Sequence, residues 1–326
     1  MSGNSVIIDS GDFHGRVYGT NVGLIDSSLN NKVVKLSASA NVYFNGGTVS
    51  DSIVGVGASV TANNGLRGFD VFGEASGKVY MNGGKVNEDI VAVDMTVASY
   101  SDDNNDKTIS KGNGSVFMTD GQVNGDIHGA FITALTPFKN NANMSGTGYI
   151  EVSGGQIGGN IYGFTIIGGP DGEANFTGSV SIFNDVTFSG ELFGVNVIET
   201  PSGHYQLFSG NTLSMGAKPL ELSRLGNFEN YNFYLNSHNQ SIVYNHDDTN
   251  SHTALIKVTT ELVNTDTAGP NGKIANVSNI QLSGISGENI INKGQSLILL
   301  DVTGADLTQD SYSNEVKLNT MFNLPI

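Results

Sequence analysis

The sequence predicts an all-β fold: a right-handed single-stranded parallel β-helix, a solenoid closed by a C-terminal cap. Three observations predict it. A Gly-punctuated phrase recurs six times, apolar residues alternate within each copy, and Gly is abundant while Pro is scarce.

The phrase reads SVIIDSGDFHGRVYG (Ser5–Gly19), NVYFNGGTVSDSIVG (Asn41–Gly55) and KVYMNGGKVNEDIVA (Lys78–Ala92). It returns as SVFMTDGQVNGDIHG (Ser115–Gly129), YIEVSGGQIGGNIYG (Tyr149–Gly163) and, with one inserted residue, SVSIFNDVTFSGELFG (Ser179–Gly194). Copies end at 19, 55, 92, 129, 163 and 194, so the steps are 36, 37, 37, 34 and 31 residues. A period of this size is the mark of a stacked-repeat architecture.

The second phrase position holds Val6, Val42, Val79, Val116, Ile150 and Val180, and the fourth holds Ile8, Phe44, Met81, Met118, Val152 and Ile182. Period two over short β-branched runs means half-buried strands. Gly-Gly, Asp-Gly and Asn-Asp then supply residues that tolerate positive φ at the turn. A third apolar patch follows each phrase, for example Val56 to Val60 and Val93 to Val97. One unit cannot bury its own apolar face, but stacked copies can, with like residues forming ladders. Polar excursions such as Asn63–Gly77 and Ser99–Gly114 are expected outside the coil. Propeller blades also repeat at ~40 residues, but they need four antiparallel strands.

Composition narrows the function classes. The chain has 326 residues with 43 Gly, 6 Pro and no Cys, and charged residues make up 14%. Thirty-one acidic against 15 basic residues give a net charge of −16, which repels phosphate backbones and anionic lipid; nucleic acid is not an expected partner. No stretch reaches the ~18 apolar residues that span a bilayer. Met1-Ser2-Gly3-Asn4 leads straight into the first patterned segment without a signal peptide, so an exported protein would be represented by a trimmed chain.

The phrase fades after Gly194. Residues 1–200 read as repeat-bearing coils, 201–303 as degenerate coils with an autochaperone-like cap, and 304–326 as a tail or linker. The phrase GGxVxGxIxG, the stretch LGNFENYNFYL (Leu225–Leu235), Ala254–Val258 and GQSLILLD (Gly294–Asp301) together resemble passenger domains of bacterial autotransporters, the pertactin-like β-helices of type V secretion. That resemblance implies an extracellular or cell-surface location. In the full-length form it implies a C-terminal outer-membrane β-barrel.

Catalytic constellations are weak. Asp89 and Asp126 share one phrase position and could sit roughly one strand spacing apart, where glycosidases need two carboxylates about 5 to 10 Å apart, but Arg16, Ser52, Asn160 and Glu191 fill that position elsewhere. This is the pattern of a plain surface site. His238, His246 and His252 with Asp247 and Asp248 match no metal signature. Asp102–Asp106 lacks the repeat of calcium-binding rolls and reads as a solvated acidic loop. No catalytic residue, metal or cofactor is expected.

Tyr43, Tyr80 and Phe117 occupy the third phrase position, between two inward ones, so they should stack outward as an aromatic stripe. The expected function is a secreted adhesive, aggregating or structural module. Its partners are a host or bacterial cell-surface protein, a glycan, or copies of itself. The alternatives are a carbohydrate-active β-helix enzyme (polysaccharide lyase or hydrolase) and a trimeric tailspike-like fibre.

Overall fold

The computed structural model describes residues 4–26, 33–62, 70–99, 107–135, 141–168, 173–198, 204–206, 210–236, 242–245, 247–263, 279–284, 294–302, 306–308 and 318–320. It is a parallel β-solenoid of about six turns, with no α-helix among the described residues.

Each repeat-bearing coil has two long strands. The first sheet stacks Asn4–Ile8, Val33–Phe44, Asp70–Met81, Lys107–Met118, Asn141–Ile157 and Glu173–Thr187. The second stacks Val17–Asp26, Ile53–Ala62, Ile90–Ser99, Ile127–Leu135, Ile161–Gly168 and Glu191–Val197. Short strands such as Thr48–Val49, Lys85–Val86 and Gln122–Val123 turn the corner between them. Pairing is parallel and residue for residue: Val42 lies beside Val79, Val79 beside Val116, and Val116 beside Ile150.

The first-sheet strands start well before the phrase. Residues 70–77 and 107–114, expected as parts of outer excursions, are strand with alternate side chains buried. Their inward residues are small or polar: Val71, Gly73, Ala75 and Gly77 in one coil, Thr108, Ser110, Gly112 and Gly114 in the next. The reason lies across the core. Core-facing residues in the second sheet run two apart beyond a glycine or alanine near the strand start and step three apart across it: Ile53 then Val56, Ile127 then Ala130, Ile161 then Phe164. The strand bends there toward the first sheet.

At this waist the two sheets meet backbone to backbone. A Cβ on Gly114, Gly148 or Gly178 would overlap the carbonyl oxygen of Gly129, Gly163 or Gly194 respectively. The waist divides the interior in two. One compartment is wide and holds Phe44, Met81, Met118 and Ile127; the other is thin and holds Ala38, Ala75, Met95 and Phe164. In the thin part, volume is matched across the sheets. Added Cβ atoms on Gly73, Gly112 and Gly146 would strike Met95, Ile132 and Phe164, so each large residue faces a glycine.

Beyond Val197 the same two sheets continue. Thr212–Ala217, Asn230–Leu235, Asn279–Gly284 and Leu318–Thr320 extend the first. Leu220–Gly226, Ala254–Val263, Ile298–Asp301 and Asp306–Thr308 extend the second. Tyr244–Asn245 and Gln295–Ser296 form an antiparallel pair.

Candidate functional site

The first-sheet register aligns Ile7, Tyr43, Tyr80, Phe117 and Glu151 in one outward column. The expected stripe forms: Tyr43 and Tyr80 stack at 4.7 Å and 4°, and Tyr80 and Phe117 at 5.0 Å and 10°. Tyr149 tilts in from the neighbouring column at 5.7 Å and 50° from Phe117, and its hydroxyl donates to Glu151 Oε2 at 2.6 Å. A sugar ring packs on an aromatic face, yet here the faces are turned to one another along the column. Such stacking stabilises paired strands. What it offers a partner is ring edges and the exposed Ile7 at its end.

Asp89 and Asp126 are brought to adjacent rungs, as the phrase position requires. Their carboxylates hold the coils together instead of standing free. Asp89 Oδ1 accepts the Asp126 backbone N–H at 2.8 Å, and Asp126 Oδ1 accepts that of Asn160 at 2.7 Å. Asn160 Oδ1 repeats the bond to Glu191 N–H at 2.8 Å. A side chain that reaches the next rung's amide is what this position selects, which is why Ser, Asp and Asn share it. Burial pushes the Asp126 carboxyl above its usual range, and the Asp89 charge adds to the effect. A parallel ladder runs at the first turn, where Asn45 Nδ2 donates to Asp9 Oδ1 and Asn82 Nδ2 to Asn45 Oδ1, both at 2.8 Å.

The second sheet carries a column that sequence reasoning missed. Val54, Val91, His128, Tyr162 and Phe193 face outward at successive rungs, yet all are buried. The bend at the waist makes this outer surface concave, so residues on its two sides touch. His128 Nδ1 lies 2.9 Å from Thr165 Oγ1. Its ring stacks on Tyr162 at 5.2 Å and meets Phe131 edge-on at 5.2 Å. Asp126 Oδ2 approaches Nε2 to 4.0 Å. Burial lowers the imidazole pKa to about 4, with the Asp89 charge opposing, so the contact with Asp126 joins a carboxylate to a neutral ring and is not an ion pair. The available signal was a single imidazole in an otherwise apolar column. Asp94, also outward, has its carboxyl pushed up by burial, with the Arg16 charge opposing.

Farther on, like-with-like columns give way to alternating charge. Arg224 sits between Glu191 and Glu261 in register, with N···O distances of 3.2 and 2.8 Å. The Tyr162 hydroxyl donates to Glu191 Oε2 at 3.0 Å, and the Arg224 guanidinium lies 5.2 Å from the Phe193 ring.

His238, His246 and Asp102–Asp106 lie outside the described residues. Asp248 closes a turn, its Oδ1 accepting the backbone and side-chain N–H of Asn250, while His252 stacks on Tyr244. Among the described residues no three His, Cys, Asp or Glu converge as metal ligands, and no helix is long and apolar enough to cross a membrane.

The fold defines a class, the parallel β-solenoids. In comparison with known proteins, no family model, curated protein or solved structure matches this chain.

Proposed function

We propose that the chain is a surface-displayed passenger β-helix of the autotransporter kind, serving as an adhesive or structural module. The observation that carries this reading is the stack itself. Strands pair rung upon rung over the described length, and outward columns are used for cross-coil bonds and ring stacking. A rod of this construction holds a surface away from its anchor. The resemblance of the glycine-punctuated phrase and of Leu225–Leu235 to autotransporter passengers supplies the export route, and the acidic, weakly charged coat suits an exposed location.

The test is display. Fused to a signal peptide and an autotransporter barrel, the chain should reach the cell surface and increase cell settling or attachment to host cells. Deleting Ser5–Gly194 should abolish the gain. A folded, surface-exposed chain that changes neither settling nor attachment would overturn the adhesive reading, and failure to reach the surface would overturn the passenger reading.

A further inference from the structure

The C-terminal coils hold a cleft of about 380 Å³, within the roughly 300–1,000 Å³ span of ligand pockets. One outward column of the second sheet runs through it: Glu221 is paired with Lys257, and Lys257 with Asp301. At ~4.8 Å per rung, the two carboxylate-bearing residues stand roughly 10 Å apart with the ammonium-bearing one between them. Lys257 Nζ lies 3.0 Å from Glu221 Oε2, and both side chains remain about half exposed.

His252 adds a fixed imidazole. Its ring stacks on Tyr244 at 3.6 Å and 7°. Nε2 is 3.2 Å from the Asp248 carbonyl oxygen, which can only accept, so Nε2 carries the hydrogen and Nδ1 is the acceptor of the neutral ring. Ser251 and Thr253 also line the cleft, and half-buried Pro219 gives it an apolar edge, while Leu220 and Ala254 at its margin are buried.

We propose that this cleft binds a neutral saccharide unit. Carboxylates accept from sugar hydroxyls, while the ammonium and the Ser and Thr hydroxyls donate to them. Pro219 offers an apolar contact to the C–H face of a pyranose. Charge removes the competing ligand classes. Two carboxylates against one ammonium, on a chain of net charge −16, repel uronates, sulfates and phosphates. Lys257, lodged between the carboxylates, opposes a metal cation. The inference goes beyond the surface-module reading and stands apart from it, because purified chain binds sugar or fails to whether or not it is ever displayed.

Saturation-transfer NMR on the purified full chain tests it. The probes are the methyl glycosides of glucose, galactose, mannose and N-acetylglucosamine, with galacturonic acid as the anionic control. At least one neutral glycoside should receive saturation and galacturonic acid should not. Glu221→Gln and Asp301→Asn should each weaken binding tenfold or more. Both change one atom type at partly exposed sites, and unchanged thermal unfolding confirms that they fold. Tyr80→Phe, on the other sheet, should leave binding as it is. No transfer to any of the four glycosides, equal transfer to galacturonic acid, or binding that survives both cleft substitutions overturns the proposal.

Discussion

The coils before Val197 and those after it use the same two sheets but different chemistry to lock one rung to the next. In the first region like stacks on like: Tyr43 on Tyr80, Asn45 on Asn82, Val79 on Val116. In the second, opposites alternate: Arg224–Glu261, joined to Glu191 of the last repeat-bearing coil, and Glu221–Lys257–Asp301. A parallel stack needs only that neighbouring rungs suit each other. Repetition is one solution and complementarity another, and only the first leaves a repeat in the sequence.

The largest effect expected from breaking this arrangement is at the glycine waist. Gly148→Ala places a methyl on the Gly163 carbonyl. Backbone cannot yield as a side-chain tip can, so a loss of about 3 kcal/mol or more is expected in chemical denaturation. Gly23→Ala, with nothing within 4 Å of its added Cβ and an ordinary φ, should stay within about 0.5 kcal/mol of the parent.

His128 comes next, and its sign is fixed by the direction of the shift. The folded imidazole titrates at about 4, below its ordinary value of 6.5, so between those values the unfolded chain binds more protons. The stability it contributes is complete above about pH 6.5 and is lost as pH falls toward 4, about 3 kcal/mol in all. The acidic groups facing it are Asp126, whose own carboxyl burial raises, and Asp89. A His128→Val, Thr165→Val variant, which places the residue of the Val91 rung at this position, should flatten the stability–pH curve over that window. A slope unchanged by the variant would show that the imidazole is not its source.

Much of this was legible in the sequence, and the rest was hidden for physical reasons. The inward columns of the wide compartment showed plainly, because Val, Ile, Phe and Met repeat there. The thin compartment did not, since each large residue there faces a glycine or other small residue on the first sheet, and Ala-Ser-Ala or Ser-Lys-Gly reads as polar excursion. The outward aromatic column was legible from parity alone. That its faces are used internally needed ring geometry. Burial of the His128 column needed the bend, and the charge columns needed a register that no repeat announces.

Two smaller tests sharpen the contrast between regions. Arg224→Met leaves Glu191 and Glu261 facing each other, partly buried, and should cost about 1–2 kcal/mol, less as salt rises. Adding Glu191→Gln should recover part of it. In the thin compartment, Thr108 Oγ1 is buried without a hydrogen-bond partner, while Val71 fills the same place one rung away. Thr108→Val should therefore stabilise by about 1 kcal/mol. A loss instead would show that the hydroxyl is satisfied.

The central claim is one continuous parallel stack running from the repeat-bearing coils into the coils where the repeat is gone. With no native Cys, paired spin labels report it directly. Ser5, Ser115, Ser179 and Asn230 share one outward column, with Ser115 three, Ser179 five and Asn230 seven rungs from Ser5. Distances from Ser5 of roughly 14, 24 and 34 Å are expected, rising in proportion to rung number at ~4.8 Å each. A Ser5–Asn230 distance that falls off this line, with the two shorter ones on it, would contradict the account by ending the stack where the repeat ends.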